Sequence, residues 1–244
     1  MSSLAISTTP RVRPFNWLLK AIVASVSLAG AQLAVATEKT LEAHPTIRAM
    51  SGATPIERLD PASTALVVID FQNEYFSGRM PIDDGMQALK NTQRLIEFAD
   101  KSKIPVYHVQ HVAPAGSAVF ALDGEGVKFH PLMQPRLGDV VVQKSNVSAF
   151  VGTDLDARLK KANVKTLIIS GLMTHACVAG AARDAAPAGY SVVVASDASA
   201  TRAITRVGGE TVSKDELHRA ALAEIEDTFG DVLTTDQITA LPTR

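Results

Sequence analysis

Cysteine is nearly absent: the 244 residues hold one, Cys177, so no disulfide can form within the chain. Aromatic residues make up only 5%, and 24 basic side chains against 25 acidic ones leave a formal net charge of −1. That excludes both a basic patch and a rich stacking surface, so nucleic acid is not an expected partner. No apolar run is long enough to span a bilayer, because Gln32 interrupts the one near the N-terminus. Internal repeats and low-complexity tracts are also missing.

The first residues carry an export pattern. Arg11, Arg13 and Lys20 form a basic region, residues 21–30 (AIVASVSLAG) are apolar, and Ala34-Val35-Ala36 supplies a small-x-small cleavage signal. Residues 1–36 are therefore expected to be a signal peptide, cleaved after Ala36, with a periplasmic or secreted product and no stable membrane association. Residues 37–53 are polar and poorly periodic, which predicts a linker or loosely attached arm. Residues 54–244 have the length of one α/β domain and can bury a proper core.

Strand and helix patterns alternate through that domain. Residues 64–70 (TALVVID), 104–109, 139–143 (DVVVQ), 164–170 and 190–196 (YSVVVAS) read as strands, with a short last one at 231–234. Residues 85–102 have helical spacing of Met86, Leu89, Leu95, Ile96 and Ala99. Thr153 with Asp156, and Ser213 with Glu216, resemble capping boxes that open helices over 155–162 and 217–229. Runs apolar on both faces and joined by helices imply a mostly parallel sheet of about six strands. The expected fold is a three-layer α/β/α sandwich in the style of doubly wound sheets. The long connection over 111–138 is the length of a functional lid or pocket wall.

In an open parallel sheet, ligands bind beyond the carboxyl ends of the strands. Asp70 closes the first strand, Lys144 the third, and Cys177 follows the fourth at a strand-to-helix turn. A cysteine in the first turn of a helix meets unpaired N–H groups and the positive end of the dipole, which favour a thiolate. Asp70 can accept the thiol proton, while Lys144 can stabilise the thiolate and hold the carboxylate. A structural ion pair between Asp70 and Lys144, with Cys177 as a small buried hydrophobe, is the alternative.

Residues 70–75 (DFQNEY) resemble the D-x-Q-N-x-aromatic opening of the isochorismatase-like cysteine hydrolases. Residues 144–150 (KSNVSAF) are similar to their K-x-x-x-S-A-F segment, and residues 171–178 (GLMTHACV) to their G-x-x-T-x-x-C-V nucleophile turn. Arg183-Asp184-Ala185, Gly189-Tyr190 and Asp197-Ala198 continue the pattern in the family's order. The resemblance implies a catalytic triad of Asp70, Lys144 and Cys177 and a cis peptide between Leu172 and Met173. It also implies an oxyanion hole made by the backbone N–H groups of Met173 and Cys177. The implied activity is cleavage of a small-molecule amide through a cysteine acyl-enzyme, without a cofactor, in a homo-oligomer.

Nicotinamidases of this superfamily bind a metal through an Asp-x-His motif after the second strand. Aligned on Pro114, His111 stands at the Asp position and Ala113 at the His position. His108 and His111 are three residues apart on or near a strand and should point to different faces, so no metal site is expected. Gln72, Tyr75, Phe76, His111, Phe120 and His175 are candidates to line the substrate pocket, each with ordinary packing as its alternative. Two rival functions remain open. One is vinyl ether hydrolysis, which needs no thiol; the other is a binding or scaffold protein that has kept the fold.

Overall fold

Six strands form one sheet, and their order places the chain's chemistry. A computed structural model describes residues 44–243, so the expected signal peptide and the first part of the arm lie outside the described residues. The strands are β1 (Thr64–Ile69), β2 (Val106–His111), β3 (Val140–Lys144), β4 (Thr166–Leu172), β5 (Ser191–Ala200) and β8 (Asp231–Leu233). All are parallel, in the order β3-β2-β1-β4-β5-β8. The order reverses between β1 and β4, which opens a crevice at their carboxyl ends. A two-stranded antiparallel hairpin, β6 (Ile204–Thr205) with β7 (Thr211–Val212), stands apart.

The central strands are buried on both faces, so their sequences read as continuous apolar runs. Leu66, Val68, Ile168 and Val193 face one layer, where α2 (Gly85–Ser102) packs with Leu89, Leu95, Ile96 and Ala99. The short C-terminal helix α6 (Thr235–Ala240) adds Ile238 to that side. Ala65, Val67, Ile69, Leu167 and Ile169 face the other layer, which holds α3 (Leu155–Lys161), α4 (Ala179–Ala185) and α5 (Lys214–Thr228). In α4 the small side chains of Ala179, Ala181, Ala182 and Ala185 are fully buried. Alanines let this helix lie close to the sheet. The three-layer expectation holds.

Helix ends show where local pattern matched and where it did not. Ser213 and Glu216 form the expected capping box at the start of α5, and Thr234 with Gln237 forms a second at α6. The box expected at Thr153 and Asp156 does not form. Asp156 instead pairs with Lys160 and accepts from the Tyr190 hydroxyl at 2.9 Å, and the cap position falls to Asp154. The arm read over 37–53 is not loose where it is described. Residues Ile47–Met50 form the short helix α1, Arg48 pairs with Asp231 at 2.8 Å, and the Ile47 N–H donates to Asp227. Among the described residues no helix is long and apolar enough to cross a membrane.

One glycine is dictated by the close approach of β4 to β1. Gly171 has φ 151°, and a Cβ there would stand 2.4 Å from the Ile69 carbonyl oxygen. The β4–β5 register also shifts at this point, between Ile169 and Gly171. Gly171→Ala is expected to cost at least about 2 kcal/mol and to lower the thermal midpoint by roughly 5 °C or more. Calorimetry checks this; an unchanged midpoint would mean that the β1 backbone yields freely.

Candidate active site

Asp70 leaves the end of β1 with φ 55°, a left-handed conformation that aspartate tolerates better than most residues. This turns its carboxylate off the strand axis into the crevice. Lys144 is the last residue of β3 and is paired in register with His111, the last residue of β2. Cys177 lies on a single π-type turn, Thr174–Val178, between β4 and α4. The structure brings all three together. Lys144 Nζ is 2.7 Å from Asp70 Oδ2 and donates to Cys177 Sγ at 3.3 Å.

Burial governs the electrostatics of this trio. Asp70 is fully buried, Lys144 is 1% exposed and Cys177 5%. Removal from water pushes the Asp70 carboxyl up, and the Lys144 ammonium opposes that shift. The lysine is held protonated above its ordinary value: burial would lower it, but the charges of Asp70 and Cys177 together win. Burial first, then the Asp70 charge, pushes the Cys177 thiol up to about 12, against the pull of Lys144. Cys177 stands on the helical turn that leads directly into α4, as expected, and burial beside Asp70 opposes the pull toward a thiolate expected there.

Burial thus pushes both the Asp70 carboxyl and the Cys177 thiol toward their protonated forms, with Lys144 held charged beside them. A proton passing from Cys177 to Asp70 creates no net charge, which is why an internal transfer is cheaper than loss of the proton to water. Asp70 is poised for it. The lysine contact is close but poorly angled, and neither carboxylate oxygen has a well-aligned donor among the described residues.

The pocket candidates divide. Gln72 is fully buried, and its side-chain amide is spent on backbone. Its Nε2 donates to the carbonyls of His111 and Val127, and its Oε1 accepts from the His111 N–H at 2.7 Å. It clamps the end of β2 to the loop after β1. Tyr75 and Phe120 pack edge-on at 5.3 Å, and Phe120 lies against the His111 ring at 4.8 Å, so these three rings form one cluster. The charges of Cys177 and Asp70 help raise the Tyr75 phenol, after burial, which keeps it neutral near the thiol. Phe76 packs on His130 at 4.3 Å. His175 is bonded through Nδ1 to Thr201 Oγ1 at 2.6 Å.

His108 and His111 do point apart. Buried His108 sits 3.2 Å from Asp139, while His111 Nδ1 lies 2.9 Å from Lys144 Nζ. Burial and the lysine charge lower His111 to about 4, so it is neutral at ordinary pH. Among the described residues no group of three or more His, Cys, Asp or Glu side chains could hold a metal ion. Sequence reasoning missed His218, which meets Thr174 Oγ1 at 2.9 Å and braces the Thr174–Val178 turn from α5. Nothing in its local sequence marks it; only the packing of α5 against that turn does. The Leu172–Met173 peptide is cis, as the resemblance implied.

The chain resembles known proteins over most of its described length. Residues 64–237 match the model of the Isochorismatase domain. A secreted isochorismatase effector, Isc1, from Verticillium dahliae is 32% identical over 78% of this chain and 97% of its own length. The ureidoacrylate amidohydrolase RutB of Methylobacterium radiotolerans is 28% identical over 76% of this chain and 83% of its own. Among solved structures, an isochorismatase from Pseudomonas putida KT2440 superposes with a TM-score of 0.74 at 30% identity, covering 80% of this chain and 99% of that one.

Proposed function

Because this chain belongs to the isochorismatase family, we propose that it is a cysteine hydrolase that cleaves the C–N bond of a small amide. The observation that carries the reading is the buried contact set in which one ammonium touches both Asp70 and the only sulfur of a cysteine in the chain. A structural ion pair would need no thiol, and a buried thiol would need no ion pair. RutB, an amidohydrolase by name, supports the choice of a C–N bond. Vinyl ether hydrolysis would leave Cys177 without a task.

The contacts among Asp70, Lys144 and Cys177 support these steps. Cys177 gives its proton to Asp70, and the thiolate, steadied by Lys144, attacks the amide carbonyl carbon. The oxygen takes up the electron pair and is met by the N–H groups of Met173 and Cys177. As the C–N bond breaks, Asp70 returns the proton to the departing nitrogen, and an acyl-enzyme remains. Asp70, again a carboxylate, takes a proton from water; the hydroxide attacks the thioester, and the sulfur leaves and recovers the proton. Lys144 stays charged throughout and never exchanges its role with Asp70.

An amide screen on the full chain, with ammonia or amine release as the readout, tests the reading. At least one small amide is expected to be hydrolysed, with an acyl adduct on Cys177 visible by intact mass after acid quench. A screen in which no amide reacts while a vinyl ether does would overturn it. Export is supported by the order of the first residues and by the secretion of the relative Isc1.

A further inference from the structure

The turn that carries Cys177 is held by two bonds of the same kind, made to different parts of the fold. Thr174 and His175 are its first two residues. Thr174 Oγ1 lies 2.9 Å from Nδ1 of His218 on α5, and His175 Nδ1 lies 2.6 Å from Oγ1 of Thr201, just past β5. Each bond joins a hydroxyl to an imidazole. Thr174 is fully buried and Thr201 is 2% exposed, so neither hydroxyl can turn to water if its partner is lost. Burial lowers both imidazoles below their ordinary value, His218 against the charges of Asp84 and Asp215, so both rings are neutral at ordinary pH. A neutral ring offers one N–H and one lone pair, and a hydroxyl can meet it in either sense.

Both outer partners are themselves anchored. Ser199 and Ala200 of β5 pair with Gly171 and Leu172 of β4, which carries Thr201 to the start of the turn. The Ser213–Glu216 capping box opens α5, and its first residue, Lys214, pairs with Asp84 ahead of α2. Between these anchors there is room. Thr201 and His218 line one cavity of about 210 Å³, together with Asp84, Ser199 and Lys214. Close packing therefore does not fix the two side chains on that face; their hydrogen bonds do.

Three residues after Thr174, Cys177 Sγ accepts from Lys144 Nζ at 3.3 Å. We propose that His218 and Thr201 are positioning residues, which pin the first two side chains of the turn and so keep Cys177 Sγ within reach of Asp70 and Lys144. Both act through the turn. Their effect on turnover rests on the amidohydrolase reading above; their hold on the sulfur does not.

Variants that cut or keep each bond separate positioning from packing. Thr174→Val and His218→Leu remove the first bond from its two ends with little change of shape. Thr174→Ser keeps the hydroxyl, and His218→Asn keeps a polar atom near the place of Nδ1. Thr201→Val and Thr201→Ser cut and keep the second bond. In full-length protein each cutting variant is expected to lower kcat on an amide by about tenfold to a hundredfold, the cost of a displacement of about an ångström, with KM little changed. The keeping variants should stay near the wild type.

The second readout is the pH midpoint of iodoacetamide labelling, which needs no turnover. Burial and the Asp70 charge raise the Cys177 thiol by more than Lys144 lowers it. A sulfur that drifts from the trio should therefore label at a pH lower by about one unit or more. The keeping variants should restore the wild-type midpoint. Folded Thr174→Val and His218→Leu proteins with wild-type kcat and wild-type labelling overturn the role of His218, even if their thermal midpoints fall. The same result in Thr201→Val overturns that of Thr201. Should His218→Leu not fold, Thr174→Val cuts the same bond by exchanging a hydroxyl for a methyl. If no amide is hydrolysed yet the labelling midpoints move and recover as stated, the amidohydrolase reading fails and the positioning roles stand.

Discussion

Cys177→Ala protein is expected to fold and to lose amide hydrolysis by about four orders of magnitude or more, the scale on which nucleophile deletions act. No second cysteine can take over. The change removes one sulfur from a site that is otherwise apolar on the α4 side, so the thermal midpoint should move little. Cys177→Ser should be nearly as inactive, because a hydroxyl is harder to ionise than a thiol already pushed up to about 12. The same burial sets the behaviour of the resting thiol. Iodoacetamide should label it slowly near pH 7, because burial and the Asp70 charge hold down the thiolate fraction. Labelling should accelerate as the pH rises. Fast labelling at neutral pH would mean that the resting pair is already a thiolate with a protonated Asp70.

That last expectation reverses what the sequence suggests, and the reversal shows where sequence reasoning stops. Asp70, Lys144 and Cys177 were legible because each closes or follows a strand, and a parallel sheet gathers its strand ends at one edge. The apolar runs of β1 and β4 and the spacing of α2 were legible for the same reason: their partners are local or periodic. What could not be read depends on contacts far apart in the chain. Nothing local shows that Val127, 55 positions away from Gln72, accepts its Nε2 proton. Nor does the local sequence show that β3 sets Lys144 beside His111 in register. The hairpin β6–β7 and the helix α6 were missed as well. The hairpin strands are two residues each and carry no period, although Thr234 and Gln237 do hold the signature of a helix start. Burial is the deepest of these omissions. The helix-start rule for a thiol is local, whereas the desolvation that overrides it comes from the whole site.

Asp70→Asn separates two tasks that one carboxylate performs, so its two effects should run in opposite directions. Asparagine matches the shape of aspartate and tolerates the left-handed backbone at φ 55°. It has no charge, however, and cannot take a proton from sulfur or return one to a leaving nitrogen. Turnover should fall by about two to four orders of magnitude, the usual contribution of a positioned acid–base group. The thiol should nevertheless become easier to ionise. The Asp70 charge is the largest contribution to the raised Cys177 after burial, and Lys144 at 3.3 Å pulls the other way. With the carboxylate neutralised, the ammonium faces sulfur alone, and the midpoint of iodoacetamide labelling should move down from about 12 toward the ordinary thiol range. Lys144→Met provides the opposite sign: without the ammonium, labelling should require a higher pH than in the wild type. The measurement is the pH dependence of alkylation for the three proteins, alongside kcat/KM on one amide. A thiol that labels faster in an enzyme that hydrolyses slower would identify Asp70 as the proton carrier and not merely the partner of Lys144. An Asp70→Asn protein that labels more slowly than the wild type, or retains most of its turnover, would remove Asp70 from the mechanism.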